Sequence, residues 1–307
     1  MRYGIWSAGA VAVLAGAAHG QGVAIGNPPV LNNGLTYSQN FDSLQNTLPN
    51  PGTGYVWTNN TTLPGWYGYH SRPDARNASG IPIFGMEVTP GRDTGTYAAR
   101  ANYFADFGSA VTGGLYSFGN GSAIDNPSSN STDRAIGQIT TSNSANGGDA
   151  TTSLVLRNTG MTTYNTLIIN YKGEQWRIGG GHLALDSMYF DYGVFGAFNV
   201  NLLYGSNTAG YTPDNFLTFT SPQTGIFQQQ LDGELPANSA MKGSHVTDAL
   251  DFGPGEFLIL RWWDDNIAGN DHSIAIDDLK VELYIPTPGT AALVGLAGLL
   301  GLRRRRA

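Results

Sequence analysis

A short segment near the C-terminal end carries the densest cluster of oxygen-bearing side chains in the sequence. Its candidate cation ligands are Asp264, Asp265, Asn266, Asn270 and Asp271. Carboxylate and amide oxygens are the ligands of Ca²⁺, which takes about six to eight of them. An EF-hand is excluded because Ala275 stands where that loop needs a glutamate. A calcium site of another kind and a solvated turn rich in Asp and Asn are the two alternatives.

Glu174 and Asp186 are the candidates for acid–base chemistry. Most glycosidases use two carboxyl groups about 5–10 Å apart, but nothing in the sequence places these two that close. The motifs of zinc proteases, serine hydrolases, P-loop proteins and dinucleotide-binding proteins are absent from the sequence. Acidic residues on strands are usually solvated or ion-paired, so a glycan-active hydrolase is only an alternative interpretation.

Aromatic side chains provide a different chemistry, because a flat ring can stack on the apolar face of a sugar. The candidates for glycan stacking are Trp66, Trp176 and Trp263. Trp262 and Trp263 are neighbours on a predicted strand and must point to opposite faces. Packing in the core is the competing interpretation for each tryptophan.

The elements that must position these side chains are short apolar runs separated by turn residues. We predict an irregular or short helical stretch at 97–107 and strands at 36–44, 55–57, 66–69, 115–119, 153–157, 165–172, 183–192, 198–204, 216–220, 257–263 and 273–285. No helix-period segment of ordinary length precedes the C-terminal tail. The pattern predicts an all-β fold, an antiparallel β-sandwich of the jelly-roll type, as a single domain over residues 34–284.

The last two predicted strands flank the polar segment, which predicts a hairpin with this segment as its loop. In that hairpin Asp277 would pair near Leu258, about 17 Å along the ladder and too far to share a cation with the loop. A buried Asp277 would instead brace the strand or pair with an arginine such as Arg261 or Arg177.

The final strand also changes phase. Ile276 and Leu279 have opposite parity, although both belong to apolar series that should face the core. Side chains alternate between the faces of a strand, so one extra residue is needed between the two series. We predict a β-bulge at Asp277–Asp278.

Charge and cysteine content exclude several classes of protein. The formal net charge is −7. Without Arg2 and the four terminal arginines, 11 basic residues face 23 acidic ones, a formal charge of −12. Such a surface repels nucleic acid. The chain has no cysteine, which excludes disulfides and thiol nucleophiles.

The N-terminal end has the pattern of a signal peptide over residues 1–20. Arg2 precedes an apolar stretch, and Ala18-His19-Gly20 is a small-x-small cleavage site. Residues 21–33, rich in Gly, Asn and Pro, are predicted to be a linker.

The C-terminal end, residues 285–307, has three parts in a fixed order. Pro286-Thr287-Pro288-Gly289 precedes an apolar run, and Arg303, Arg304, Arg305 and Arg306 follow it. As a helix the run would reach about 20 Å, short of the roughly 30 Å hydrocarbon core, and the arginines would stay on the cytoplasmic side. The alternative is a weak membrane anchor or a disordered basic tail.

This order of parts resembles the PEP-CTERM sorting signal of bacterial exported proteins. Thr287 stands where that signal usually has a glutamate. The resemblance implies transient membrane insertion through a short hydrophobic sorting helix and cleavage by an exosortase-type enzyme.

The body of the chain resembles another group. The motifs are Asn40-Phe41-Asp42-Ser43-Leu44, Leu63-Pro64-Gly65-Trp66 and Ala275-Ile276-Asp277-Asp278-Leu279-Lys280-Val281. They are similar to the jelly-roll modules of secreted adhesin-type and MAM-like bacterial proteins. Those modules are non-catalytic, and they often contact carbohydrates or cell surfaces.

The sequence therefore predicts a non-enzymatic protein of the bacterial cell envelope, outer surface or extracellular matrix that contacts polysaccharide or the cell surface. Two alternatives stay open. One is a secreted glycan-active hydrolase that uses Glu174 and Asp186, and the other is a purely structural surface protein stabilised by Ca²⁺.

Overall fold

The computed structural model of the chain describes residues 22–26, 34–47, 54–70, 102–111, 113–121, 131–140, 150–181, 183–203, 207–264 and 269–285. Within these ranges nearly all regular structure is β-strand, and the one helix is a 3₁₀ turn at Val200–Leu203. None of the described helical structure is long and apolar enough to cross a bilayer. The predicted signal peptide and the sorting tail from Pro286 onward lie outside the described residues.

Two sheets form the body of the protein. Sheet A has the strand order β1-β8-β15-β10-β11, with β4 beside β8 and β12 beside β10. Its strands are β1 (Val23–Ile25), β4 (Trp66–His70), β8 (Ala150–Asn158), β10 (Ser187–Phe195), β11 (Thr212–Pro213), β12 (Phe219–Thr220) and β15 (Phe257–Asp264).

Sheet B has the order β13-β9-β16-β7-β6-β5-β3, with β14 beside β9 and β2 beside β16. Its strands are β2 (Gly34–Gln39), β3 (Tyr55–Val56), β5 (Asn102–Asp106), β6 (Gly114–Phe118), β7 (Ala135–Ile139), β9 (Thr166–Ile178), β13 (Gln229–Gln230), β14 (Ser239–Thr247) and β16 (Ser273–Tyr284).

The core lies between the two sheets and is centred on aromatic rings. Trp66 of sheet A stacks on Trp262 with ring centroids 5.8 Å apart. Tyr171 of sheet B meets Trp262 edge-on at 5.8 Å, and Trp66 Nε1 donates a hydrogen bond of 2.9 Å to the hydroxyl of Tyr37. The all-β sandwich predicted from the sequence is confirmed.

Strand pairing corrects three of the predicted segments. The strand predicted at 198–204 is wrong over its described residues 198–203, because Asn199 Oδ1 accepts a hydrogen bond from Asn201 N and turns the chain into the 3₁₀ helix. The stretch at 97–107 contains β5, which pairs with β6 and β3 despite its weak local preference. The predicted linker at 21–33 contains β1.

Two pairings depart from the expected antiparallel pattern. β1 lies parallel to β8, and β5 lies parallel to β6. Each is a peripheral pair, and the central pairings of both sheets are antiparallel.

Candidate functional site

The segment between β15 and β16 is not a hairpin loop. β15 pairs with β8 and β10 in sheet A, whereas β16 pairs with β9, β7 and β2 in sheet B. The segment therefore carries the chain from one sheet to the other. The hairpin prediction is wrong because the two strands pair with other strands, in different sheets.

The predicted calcium ligands of this segment do not form one described group. Asp265 and Asn266 lie outside the described residues. Asp264 and Asp271 are buried, while Asn270 is exposed. Thr140 Oγ1 donates a weak hydrogen bond to Asp264 Oδ2 at 3.5 Å. Calcium binding by this segment stays a prediction.

Asp186 lies beside Asp264. Burial raises the pKa of Asp186, and hydrogen bonding to Asp264 and to the backbone of His272 opposes the shift. Asp186 also accepts hydrogen bonds from the backbone N–H groups of Ser187 at 2.9 Å and His272 at 3.0 Å. Asp186 is thus held in a structural network at the end of the sandwich where β10 begins.

The prediction of glycan stacking is wrong for two of the three candidate tryptophans. Trp66 is fully buried between the sheets. Trp176 is also fully buried, with its ring parallel to that of Phe118 at 6.1 Å and with Gly233 against its indole. A buried ring has no free face for a sugar, so the competing interpretation of core packing applies to both.

Trp263 differs from the other two. It is only partly buried, on the face of sheet A that points away from the core, while its neighbour Trp262 is fully buried on the opposite face. Tyr189 stands beside it on β10, with ring centroids 4.6 Å apart and an angle of 28° between the rings. We call Trp263 and Tyr189 the aromatic pair.

A buried ion pair lies two residues along the same face. Arg261 Nε and Nη2 donate to the two carboxylate oxygens of Asp191 at 2.7 and 2.6 Å. The guanidinium also lies 3.4 Å from the ring centroid of Tyr211 and donates to the carbonyl of Leu202 at 3.1 Å. Burial raises the pKa of the Asp191 carboxyl even though Arg261 opposes the shift.

The outward face of sheet B carries carboxylates instead, and the bulge in β16 positions one of them. The register of β16 against β9 shifts between Asp277 and Lys280, and Asp278 has a φ of 49°. The predicted bulge is confirmed. Asp277 pairs with Lys172 of β9 and not near Leu258.

Asp277 meets two carboxylates from loops. One carboxylate oxygen each from Asp133, Glu234 and Asp277 lie within 4.8 Å of one another. Asp133 precedes β7 and is exposed, Glu234 follows β13 and is partly buried, and Asp277 is 1 % exposed. We call these three residues the acidic cluster.

Glu174 and Lys172 border the acidic cluster on β9. Glu174 Oε1 lies 2.7 Å from Lys172 Nζ, and its Oε2 accepts from Trp176 Nε1 at 3.0 Å. Lys172 also contacts Glu234. Burial raises the pKa of Glu174 to about 8, and burial followed by the nearby charge of Glu174 raises the pKa of Asp277 to about 9.

The arginine partners predicted for Asp277 are engaged elsewhere. Arg261 binds Asp191. Arg177 donates to the carbonyls of Gly179 at 3.3 Å and Asp271 at 3.4 Å. Asp277 therefore has no arginine partner among the described contacts.

Glu174 and Asp186 have different surroundings. Glu174 is held by Lys172 and Trp176 on the outward face of sheet B, whereas Asp186 is held by Ser187 and His272 before β10. They have no partner in common among the described contacts, and the hydrolase alternative stays a prediction.

Sequence reasoning missed Asp133 and Glu234. Both lie in loops, where no spacing rule connects them to β16. Only the phase change at Asp277–Asp278 drew attention to this region, and it identified the bulge without its neighbours.

Comparison with known proteins gives no family. No family model matches the chain, and no curated protein matches it.

The structural matches include β-sandwich carbohydrate-binding modules. One match is a carbohydrate-binding module of the β-sandwich superfamily, from a study of the promiscuous specificity of such modules. Its sequence is 11% identical to this chain and its TM-score is 0.30, and the match covers 74% of this chain and 62% of the other. A second match is a xylan-binding domain of family 22, with 8% identity and a TM-score of 0.28. It covers 78% of this chain and 99% of the other. A third match is a family 11 module from Clostridium thermocellum in complex with a mixed-linked tetrasaccharide, with 9% identity and a TM-score of 0.24. It covers 74% of this chain and 94% of the other. The sandwich architecture rests on the strand pairing described above.

Proposed function

We propose that the protein is an exported, non-enzymatic component of a bacterial cell envelope or extracellular matrix that binds polysaccharide through the outward face of sheet A. The observation that carries this proposal is the aromatic pair, Trp263 and Tyr189, whose rings are stacked at 4.6 Å on that face. An aromatic ring that is partly open on a sheet offers sugar rings an apolar surface with a polar edge.

The aromatic pair is held on a rigid support. Trp263 lies on β15, which is paired on both sides, by β8 and by β10, without a register shift. The adjacent Arg261–Asp191 ion pair is bidentate. A preorganised surface loses little conformational entropy on binding, which favours affinity for a repetitive ligand.

The two chain ends and the charge support the cellular location. The acidic body disfavours nucleic acid as a partner. The segment at 285–307 is proposed to pause in the membrane and to be processed by an exosortase-type enzyme. Replacement of Arg303, Arg304, Arg305 and Arg306 by serine should make the unprocessed chain accumulate in the producing bacterium, as measured by mass spectrometry. An unchanged mature C-terminus in that variant would contradict the sorting proposal.

The polysaccharide proposal is tested by affinity electrophoresis of the full chain in mild detergent. The gels contain the extracellular polysaccharide purified from the producing bacterium. Wild-type protein should be retarded, and Trp263→Ala should weaken binding about tenfold, equivalent to ~1.4 kcal/mol. Phe216→Ala is the matched control, because Phe216 is 81 % exposed and lies outside the aromatic pair. Its retardation should equal that of the wild type.

Two results would count against the proposal. Unretarded wild-type protein would favour the purely structural surface protein. Equal retardation of wild type and Trp263→Ala would show that a different surface binds the polysaccharide.

A further inference from the structure

The acidic cluster has more carboxyl groups than the described cations around it can pair. Asp133, Glu234, Asp277 and the bordering Glu174 bring four carboxyl groups to one place. Lys172 is the described cation in contact with them, and it binds Glu174 and Glu234. Within the described residues, Asp133 and Asp277 have no salt bridge.

Two carboxylate oxygens in this group are buried without a hydrogen-bond donor. They are Oδ1 of Asp277 and Oε1 of Glu234. Asp277 is 1 % exposed, so water has little access to it. A buried acceptor without a partner costs about 1–3 kcal/mol, and more when it is charged. Native proteins rarely keep such groups unless a ligand or ion completes them.

We propose that the acidic cluster binds a divalent cation of the Ca²⁺ class between Asp133, Glu234 and Asp277. The ligand atoms are carboxylate oxygens, which suit a hard cation. Three carboxylates from three separate segments fit the irregular coordination shell of Ca²⁺ better than a site built for a soft metal, which would need Cys or His.

The cation would join three parts of sheet B. Asp133 leads into β7, and Asp277 lies at the bulge of β16. Glu234 belongs to the segment that covers Trp176, where Leu231 N donates to the carbonyl of Trp176 at 2.9 Å and Gly233 packs on the indole. Unfolding separates these segments, so a cation bound only to the native state stabilises it. The inference is independent of the polysaccharide proposal, which concerns the opposite outward face.

The test uses the full chain after removal of metals with EDTA. Addition of Ca²⁺ should raise the melting temperature and give a saturable signal in titration calorimetry. Tb³⁺, a Ca²⁺ substitute, should show emission sensitised by Trp176, whose indole binds the adjacent Glu174. Excess Ca²⁺ should quench that emission by displacement.

Asp277→Asn keeps the size of the side chain and removes its charge. It should weaken Ca²⁺ binding at least tenfold and abolish the sensitised emission. Asp278→Asn is the matched control, because it removes the same charge from the next, exposed residue and should keep binding within about twofold of the wild type. If Asp277→Asn does not fold, as judged by circular dichroism, Glu234→Gln tests the same site from the covering segment.

Several outcomes would overturn the proposal. One is a wild-type chain with no Ca²⁺-dependent melting shift and no sensitised emission. Another is wild-type affinity in both Asp277→Asn and Glu234→Gln. Loss of the signal in Asp264→Asn but not in Asp277→Asn would place the cation in the segment between β15 and β16.

The same variant separates the two proposals. Retardation of Asp277→Asn by the polysaccharide should equal that of the wild type, because the acidic cluster lies on the other sheet from the aromatic pair.

Discussion

The outward faces of the two sheets handle buried charge in opposite ways. On sheet A, Asp191 is matched by Arg261 through two hydrogen bonds, and the guanidinium rests on Tyr211. On sheet B, Lys172 forms salt bridges with Glu174 and Glu234, and no cation contacts Asp277 among the described residues. The first face pairs its buried carboxylate with a cation of the chain, whereas the second has a buried carboxyl group for which we propose a cation from solution.

The difference begins in the central strands. β15 runs between β8 and β10 in continuous register, so its side chains alternate regularly and Arg261 falls opposite Asp191. β16 shifts register twice against β9. The second shift, at the bulge, puts an aspartate among carboxylates from loops that have no fixed relation to the strand. Regular pairing thus places Arg261 opposite Asp191, whereas the bulge places Asp277 next to carboxylates and without a cation among the described contacts.

The largest effect is expected from breaking the ion pair of sheet A. Arg261→Met should lower the free energy of unfolding by about 3–5 kcal/mol, because it leaves Asp191 buried without its cation. Urea denaturation monitored by tryptophan fluorescence measures it. Arg157→Met is the control, since Arg157 is exposed on the same sheet, and it should be nearly neutral. A small loss for Arg261→Met would mean that Asp191 is already compensated by other groups.

The next effect concerns the covering of sheet B. Gly233→Ala places a Cβ within 2.4 Å of the Trp176 ring and should lower the free energy of unfolding by about 1–3 kcal/mol through overpacking. Gly196→Ala, where a Cβ meets no atom within 4 Å, should not lower it. Chemical denaturation of both variants provides the comparison, and equal stabilities would show that the segment at Gly233 does not pack on Trp176.

The two faces should respond with opposite sign to the same chemical change. In EDTA at neutral pH, Asp277→Asn should raise the free energy of unfolding by about 1–2 kcal/mol, because burial raises the pKa of Asp277 to about 9 and folding at neutral pH must protonate this carboxyl, a cost that asparagine does not carry. Asp191→Asn should lower it, because Arg261 loses its counter-charge. Thermal and urea unfolding of both variants test this contrast. Destabilisation by both substitutions would mean that Asp277 is fully compensated without a metal.

The smallest effect is expected at the bulge itself. Asp278 has a φ of 49°, a conformation that glycine adopts without strain. Asp278→Gly should therefore change the free energy of unfolding by no more than about 0.5 kcal/mol. Asp278→Val should lower it by roughly 1–2 kcal/mol, since a β-branched side chain is strained there. Equal stabilities for the glycine and valine variants would show that the bulge relaxes at no cost.

Local patterns predicted what depends on one strand. The phase change between Ile276 and Leu279 located the bulge, because alternation is a property of a single strand. The opposite environments of Trp262 and Trp263 followed from the same rule. The apolar run at Phe257–Leu260 is typical of a strand covered on both faces, and all four of its residues are buried.

Pairing between distant strands could not be predicted in this way. The hairpin at 264–272 failed because neighbouring strands in sequence joined different sheets. By sequence, Trp66 and Trp176 are candidates both for glycan stacking and for core packing. Both are buried, and Trp176 is covered by a segment far away in the sequence, that of Gly233. The acidic cluster has the same origin, since Asp133 and Glu234 meet Asp277 only through the arrangement of loops.

The position of β16 also bears on the order of assembly. β16 lies in the middle of sheet B, between β9 on one side and β7 and β2 on the other. β2 is among the first described segments of the chain and β16 is the last. A chain that emerges N-terminus first, from a ribosome or a translocation channel, holds β2, β7 and β9 without their common neighbour until residues 273–284 appear. Late closure of such distant pairs slows folding and exposes strand edges meanwhile.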